Sequence, residues 1–180
     1  MRNATPPARH VVLVGPMGSG KSTLGRTLAA RLGLGFVDVD ARIEADAGRD
    51  IPAIFAAEGE AGFRTREARA LALALDGDAA VIATGGGAVL AAANRAAMRA
   101  TGTVVYLQVD PAIQRARLAG DTGRPLLQGD DPAASLAALQ ATREPLYREV
   151  AHHLFDTSAL APEAAVAALA GLLAHDEASA

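Results

Sequence analysis

The residues with the most definite chemical content form one run, Gly15-Pro16-Met17-Gly18-Ser19-Gly20-Lys21-Ser22-Thr23, directly after the apolar segment Val11-Val12-Leu13-Val14. The run spells G-x-x-x-x-G-K-[ST] between a predicted strand and a predicted helix, the arrangement that cradles a chain of phosphates. Glycines at 15, 18 and 20 allow positive φ and let main-chain N–H groups come close to an anion. A helix opening near Gly20 to Ser22 adds unpaired N–H groups and the positive end of its dipole. Lys21 supplies a mobile cation for the β- and γ-phosphates, and the Ser22 hydroxyl is placed to ligate Mg2+. Lys21 is also the only lysine in the chain, every other basic residue apart from histidine being arginine.

Further chemistry is spread along the sequence. Asp38 and Asp40 close the segment Phe36-Val37-Asp38-Val39-Asp40. As a strand it would point both carboxylates to one side, and at the carboxyl end of a parallel strand that side faces the ligand crevice. Asp40 could equally cap a helix beginning at Ala41. Arg64 and Glu67, three residues apart beside Phe63, share a helix face, either as a solvated pair or as part of a site. Gly85-Gly86-Gly87 follows the apolar segment 79–83. It forms either a tight turn or a stretch of backbone left open to a ligand. The segment 120–132 is polar and rich in glycine and proline around Arg124, which describes a mobile lid whose arginine reaches a phosphoryl group on closure.

These residues need elements to position them, and the hydrophobic pattern provides them. Leu24, Leu28 and Leu32 recur at helical spacing after the glycine-rich run, and Gly33 and Gly35 end that helix. From Ala41 to about Leu75 the pattern is helical but broken at Glu58-Gly59-Glu60, an insertion long enough for an acceptor-binding subdomain. A helix near 91–100 leads to a strand over 103–109, and Asp110-Pro111 opens another helix. A helix over 133–150 should kink or break at Pro145. Leu154-Phe155 is a final strand, and Pro162 opens a terminal helix to about Ala174. Strands alternating with helices predict a three-layer α/β fold with a central five-stranded parallel sheet and helices on both faces. A single domain over 10–175 is expected, with the acceptor region at about 40–75, the lid at about 120–131, a disordered tail over 1–9 and a short tail over 176–180.

Composition narrows the partners. A formal net charge of −3 with scattered arginines gives no basic stripe for nucleic acid. Cysteine is absent, so thiolate metal sites and disulfides are excluded. No apolar run reaches the roughly 20 residues of a membrane span, and the start has no apolar leader segment, so a cytoplasmic protein is expected.

Taken in order and at their separations, the loop 15–23, Asp38-Val39-Asp40, Phe63-Arg64-Thr65-Arg66-Glu67, Gly85-Gly86-Gly87, Arg124-Pro125-Leu126-Leu127 and Arg143-Glu144-Pro145-Leu146-Tyr147 resemble shikimate kinase, a family of nucleoside monophosphate kinase-like P-loop enzymes. The resemblance implies transfer of the ATP γ-phosphate to the 3-hydroxyl of shikimate, with Mg2+ as the metal and a monomer as the acting species. It implies that Asp40 binds the shikimate hydroxyls and is the candidate base, and that Asp38 lies near the metal with Ser22. Arg64 and Arg143 would hold the substrate carboxylate, Glu67 would orient Arg64, and Gly86 with its neighbours Gly85 and Gly87 would meet the ring hydroxyls. Arg124 would contact the ATP phosphates, and Arg117 and Pro162 would flank the adenine. The segment Ser158-Ala159-Leu160-Ala161-Pro162 departs from members with a basic residue just before the proline. Competing readings are a gluconate or nucleoside monophosphate kinase of the same fold, or a nucleotide-binding protein without acceptor chemistry. A guanine-reading Asn-Lys-x-Asp motif is excluded, because the sole lysine lies in the loop.

Overall fold

The computed structural model describes residues 9–119 and 131–177. Of the expected tails over 1–9 and 176–180, residues 1–8 and 178–180 lie outside these residues, as does the expected lid with Arg124 up to residue 130, while α7 extends over 176–177. The chain alternates β1 (His10–Val14), α1 (Lys21–Leu32), β2 (Gly35–Asp38), α2 (Val39–Ala47), α3 (Ile51–Leu75), β3 (Ala80–Ala83), α4 (Ala92–Thr101), β4 (Gly102–Gln108), α5 (Pro111–Leu118), α6 (Pro132–Val150), β5 (His153–Asp156) and α7 (Pro162–Glu177). A 3-10 turn over Ala88–Leu90 follows the glycine run.

The strands form one parallel sheet in the order β2-β3-β1-β4-β5, so β1 is central and its carboxyl end opens between β3 and β4. Alternation along β1 makes the three layers. Val12 and Val14 pack with Ile43, Ile54, Leu71, Met98 and Tyr147 from α2, α3, α4 and α6. Val11 and Leu13 pack with Leu24, Leu28, Val166 and Leu169 from α1 and α7. Burying both faces explains why the strands read as continuous apolar runs. At the amino end, His10 Nδ1 accepts from the Ala80 N–H at 3.2 Å, so Nε2 must carry the proton it donates to Leu75 O at 3.1 Å.

Two expectations are corrected. The second strand ends at Asp38, and Asp40 lies in the first turn of α2 rather than on the strand. Asp38 is the residue that caps α2, its Oδ1 accepting from Ala41 N at 3.2 Å, so the capping role expected for Asp40 belongs to its neighbour. The helix α6 also runs through Pro145 to Val150 without ending there. Pro145 can offer no N–H to the carbonyl of Ala141, but Tyr147 and Val150, both fully buried, hold the following turn against the core. The break at Gly59 is present, with φ 70° and ψ −179° inside the span of α3. Gly33 closes α1 at φ 69°.

Candidate active site

The glycine-rich loop sits at the carboxyl end of β1. Gly15, Gly18 and Gly20 take φ of 144°, 78° and 92°, values that L side chains resist. At Gly15 a β-carbon would also stand 2.5 Å from Leu107 O, so glycine is required twice over. No side chain caps α1, which leaves its opening N–H groups available to an anion. Lys21 Nζ donates to Gly15 O and Pro16 O, each at 2.8 Å, and so lies folded across the loop.

Distant elements brace this loop from behind. Gln114 Nε2 of α5 donates to Met17 O at 2.9 Å, Arg117 Nη1 to Gly18 O at 3.0 Å, and Thr157 Oγ1 to Ser19 O at 3.1 Å. In a trans peptide the C=O of one residue and the N–H of the next point in opposite directions. Holding the carbonyls of Met17 and Ser19 against the protein therefore turns the N–H groups of Gly18 and Gly20 away from it, and both glycines line the adjoining cleft.

That cleft, about 440 Å³, is bounded by Gly18, Gly20, Lys21, Ser22 and Thr23 on one side and by Asp38, Asp40, Glu44, Ile51, Thr84 and Gly86 on the other. Ser22 Oγ donates to Asp38 Oδ2 at 2.6 Å, which pairs a hydroxyl and a carboxylate oxygen beside the loop. Although Asp40 leaves the strand, the first turn of α2 still brings it to the same cleft as Asp38.

The glycine run is the seat of the remaining groups. A β-carbon at Gly85 would stand 2.5 Å from Glu67 Oε1 and 2.8 Å from Asp40 Oδ1. One at Gly86 would stand 3.3 Å from Arg143 Nη1, and one at Gly87 would overlap the Arg64 guanidinium. Each glycine thus admits a different charged side chain. Arg64 Nη1 donates to Glu67 Oε2 at 2.8 Å, and its Nη2 to Glu60 Oε1 at 3.0 Å. The guanidinium lies 5.3 Å from the centroid of the Phe63 ring, which is itself buried against Phe55. Glu67 and Arg143 are buried charges, and burial pushes the Glu67 carboxyl above its ordinary range. Arg64 and Arg143 oppose that shift, while Asp40 adds to it.

The sequence-predicted residues thus divide. The loop, Asp38, Asp40 and Gly86 share the cleft, and Gly85, Gly87, Arg64, Glu67 and Arg143 adjoin it through the glycine run. Ser19 is fully buried within the loop. Arg117 lies behind the loop, bonded to Gly18 O and to Thr157 O at 3.2 Å, and Pro162 is exposed at the start of α7. Sequence reasoning missed Glu44, Ile51 and Thr84 in the cleft and the braces Gln114 and Thr157. Helical spacing from Asp40 to Glu44 could have found the first; nothing local marks the others.

The family model for shikimate kinase matches residues 17–173. The chain belongs to the shikimate kinase family. The shikimate kinase of Halorhodospira halophila is 55% identical over 149 residues, 83% of this chain and 84% of that protein. That of Symbiobacterium thermophilum is 57% identical over 145 residues, 79% of this chain and 83% of that protein. Among solved structures, the shikimate kinase from Acinetobacter baumannii in complex with shikimate superposes with a TM-score of 0.92 at 43% identity, covering 95% of this chain and 96% of that one. A gluconokinase from Sinorhizobium meliloti shares the fold alone, with 19% identity and a TM-score of 0.58. Membership in the shikimate kinase family makes the chain an ATP-dependent kinase, a phosphotransferase. Among the described residues, no helix is long and apolar enough to cross a membrane.

Proposed function

We propose that this chain transfers the γ-phosphoryl group of ATP to the 3-hydroxyl of shikimate, giving shikimate 3-phosphate and ADP. The observation that carries the reading is the glycine run, where Asp40 and the guanidinium groups of Arg64 and Arg143 converge on three consecutive residues beside the phosphate loop. An acceptor with a carboxylate and several hydroxyls needs planar cationic forks at one end and hydrogen-bond acceptors at the other. Arg64 and Arg143 supply the forks, Glu67 fixes Arg64, and Asp40 supplies the acceptor. Phe63 supports the Arg64 guanidinium.

Phosphoryl transfer asks for alignment and charge neutralisation more than covalent help. The N–H groups of Gly18 and Gly20, with Ser19, Ser22 and Thr23 around them, grip the donor phosphates, and Lys21 swings from its loop carbonyls to the γ-phosphate. The acceptor oxygen attacks phosphorus as the bond to ADP breaks, and the proton of the attacking hydroxyl passes to the Asp40 carboxylate. Arg124 neutralises charge on the transferring group, and Arg117 and Pro162 flank the adenine.

The oxygen pair Ser22 Oγ and Asp38 Oδ2 fits Mg2+, which takes one or two protein oxygens and completes its shell with water and substrate phosphates. When bound, the ion neutralises charge on the donor phosphates. We read the protein as a monomer acting on small molecules in the cytoplasm, with no nucleic acid or membrane partner.

A coupled assay of ADP release tests the reading, with purified protein, Mg-ATP and, separately, shikimate, gluconate and AMP. Release with shikimate alone is expected; release with gluconate or AMP but not shikimate overturns it.

A further inference from the structure

Tyr147 is fully buried on α6, one helical turn after Arg143 and on the same face. Its hydroxyl donates to Gly86 O at 2.5 Å. The ring stacks on that of Tyr106 from β4, with centroids 5.0 Å apart and planes inclined by 29°. A β-carbon at Gly86 would stand 3.5 Å from the Tyr147 hydroxyl and 3.3 Å from Arg143 Nη1, so both groups meet at the same peptide.

The carbonyls around this point are all committed to the protein. Gly85 O accepts from Ala88 N at 3.1 Å, Gly87 O accepts from Leu90 N at 3.0 Å, and Gly86 O accepts from Tyr147. The first two bonds belong to the local turn. The third comes from 61 residues away and is the only one that a single side chain controls. Among the described residues, none of the N–H groups of Gly85, Gly86 and Gly87 donates a hydrogen bond, and Gly86 lines the cleft.

We infer that Tyr147 is a positioning residue for the acceptor: its hydroxyl holds the Gly86 carbonyl and abuts Arg143, so that backbone donors and guanidinium are preset in one geometry. The inference rests on the acceptor reading of this site given above. Burial pushes the phenol well above its ordinary range and outweighs the opposing pull of the Arg143 guanidinium beside it, so the group remains a donor. The Tyr106 ring fixes where that donor stands, since an offset stack restricts both rings.

The test uses the full chain with Tyr147→Phe, which keeps the ring and its stack, and Tyr106→Phe, which removes a buried hydroxyl of the same stack without touching Gly86. Two readouts separate this inference from the reading beneath it. Hydrogen exchange of the Ala88 amide, which donates to Gly85 O, measured without substrate, should rise in Tyr147→Phe and stay at the wild-type level in Tyr106→Phe. Steady-state kinetics should show the shikimate KM of Tyr147→Phe raised about tenfold, the loss expected of one well-placed hydrogen bond, with kcat and the ATP KM within about twofold. Unchanged exchange, or kcat and both KM values shifting together, overturns the inference. So does loss of the fold in Tyr147→Phe, because a positioning hydroxyl is not what the fold depends on. A wild-type protein inactive toward shikimate overturns the acceptor reading, while the exchange experiment still decides whether Tyr147 holds Gly86.

Discussion

Arg64 Nη1 donates to Glu67 Oε2 at 2.8 Å, and the two side chains lie over neighbouring glycines, Arg64 over Gly87 and Glu67 over Gly85. The pair is therefore built into the fold beside the glycine run and is not a solvated surface pair, as the near-complete burial of Glu67 requires. Arg64→Ala should raise the shikimate KM about 30-fold or more, the loss typical of one partner of a buried, hydrogen-bonded charge pair. The ATP KM should change little. Steady-state kinetics with an unchanged shikimate KM would count against this assignment.

Glu67 also makes a pH prediction. Its carboxyl is raised in the folded protein above its ordinary value of 4.5, chiefly by burial. Between that value and the raised one the folded state binds more protons than the unfolded state, so stability falls as pH rises through this window. Glu67→Gln removes the ionisation and with it this part of the fall. The melting temperature of Glu67→Gln, compared with wild type at each pH, should move in the variant's favour from pH 4.5 upward. A constant difference between the two across that range would refute the assignment.

Asp40 separates binding from turnover. Asp40→Asn keeps the size and part of the hydrogen bonding but cannot take up the hydroxyl proton. Its kcat should drop by about 100-fold or more, in the range of a lost general base, with smaller changes in either KM. Rapid-quench measurement of the chemical step should show the same drop; a normal chemical step with a high shikimate KM would make Asp40 a binding group only.

Gly87→Ala offers a steric test. At φ −97° the backbone accepts an L side chain, so the substitution brings no conformational strain of its own. Its new methyl group would occupy the Arg64 guanidinium position. The displaced arginine should weaken shikimate binding by about as much as Arg64→Ala does, with an ATP KM within about twofold. Equal losses for both substrates would show that the methyl group disturbs more than Arg64.

The Ser22 and Asp38 pair predicts a metal phenotype. Ser22→Ala should raise the free Mg2+ needed for half-maximal rate about tenfold or more, comparable to the loss of groups that hold a metal's ligands in place. Velocity measured against free Mg2+ at saturating ATP checks this. A reduced rate at every Mg2+ level with an unchanged midpoint would place the ion elsewhere.

The sheet and the phosphate loop were legible because their signals are local. Apolar runs buried on both faces, glycines forced into positive φ and the break at Gly59 all act within a few residues. Asp40 was misplaced because the change from strand to helix falls between Asp38 and Val39, inside a pattern that alternates equally well as a strand. Of the kink or break expected at Pro145, the break is absent because the missing N–H is outweighed by Tyr147 and Val150, which pack against the core. The braces of the loop were invisible for a plainer reason. Gln114 and Thr157 lie 97 and 138 residues from the carbonyls they hold, and an amide or a hydroxyl at such a distance has no pattern to betray it.

Those braces give the protein a mechanical property. Gln114 and Arg117 belong to α5, so this helix and the loop peptides at Met17 and Gly18 are tied together by two hydrogen bonds. Tilting α5 would strain both bonds, and so would rotating the peptides, so the two motions are coupled. Reciprocity makes the two effects equal in free energy. In the reading proposed above, nucleotide affinity is thereby tied to how α5 is seated behind the loop.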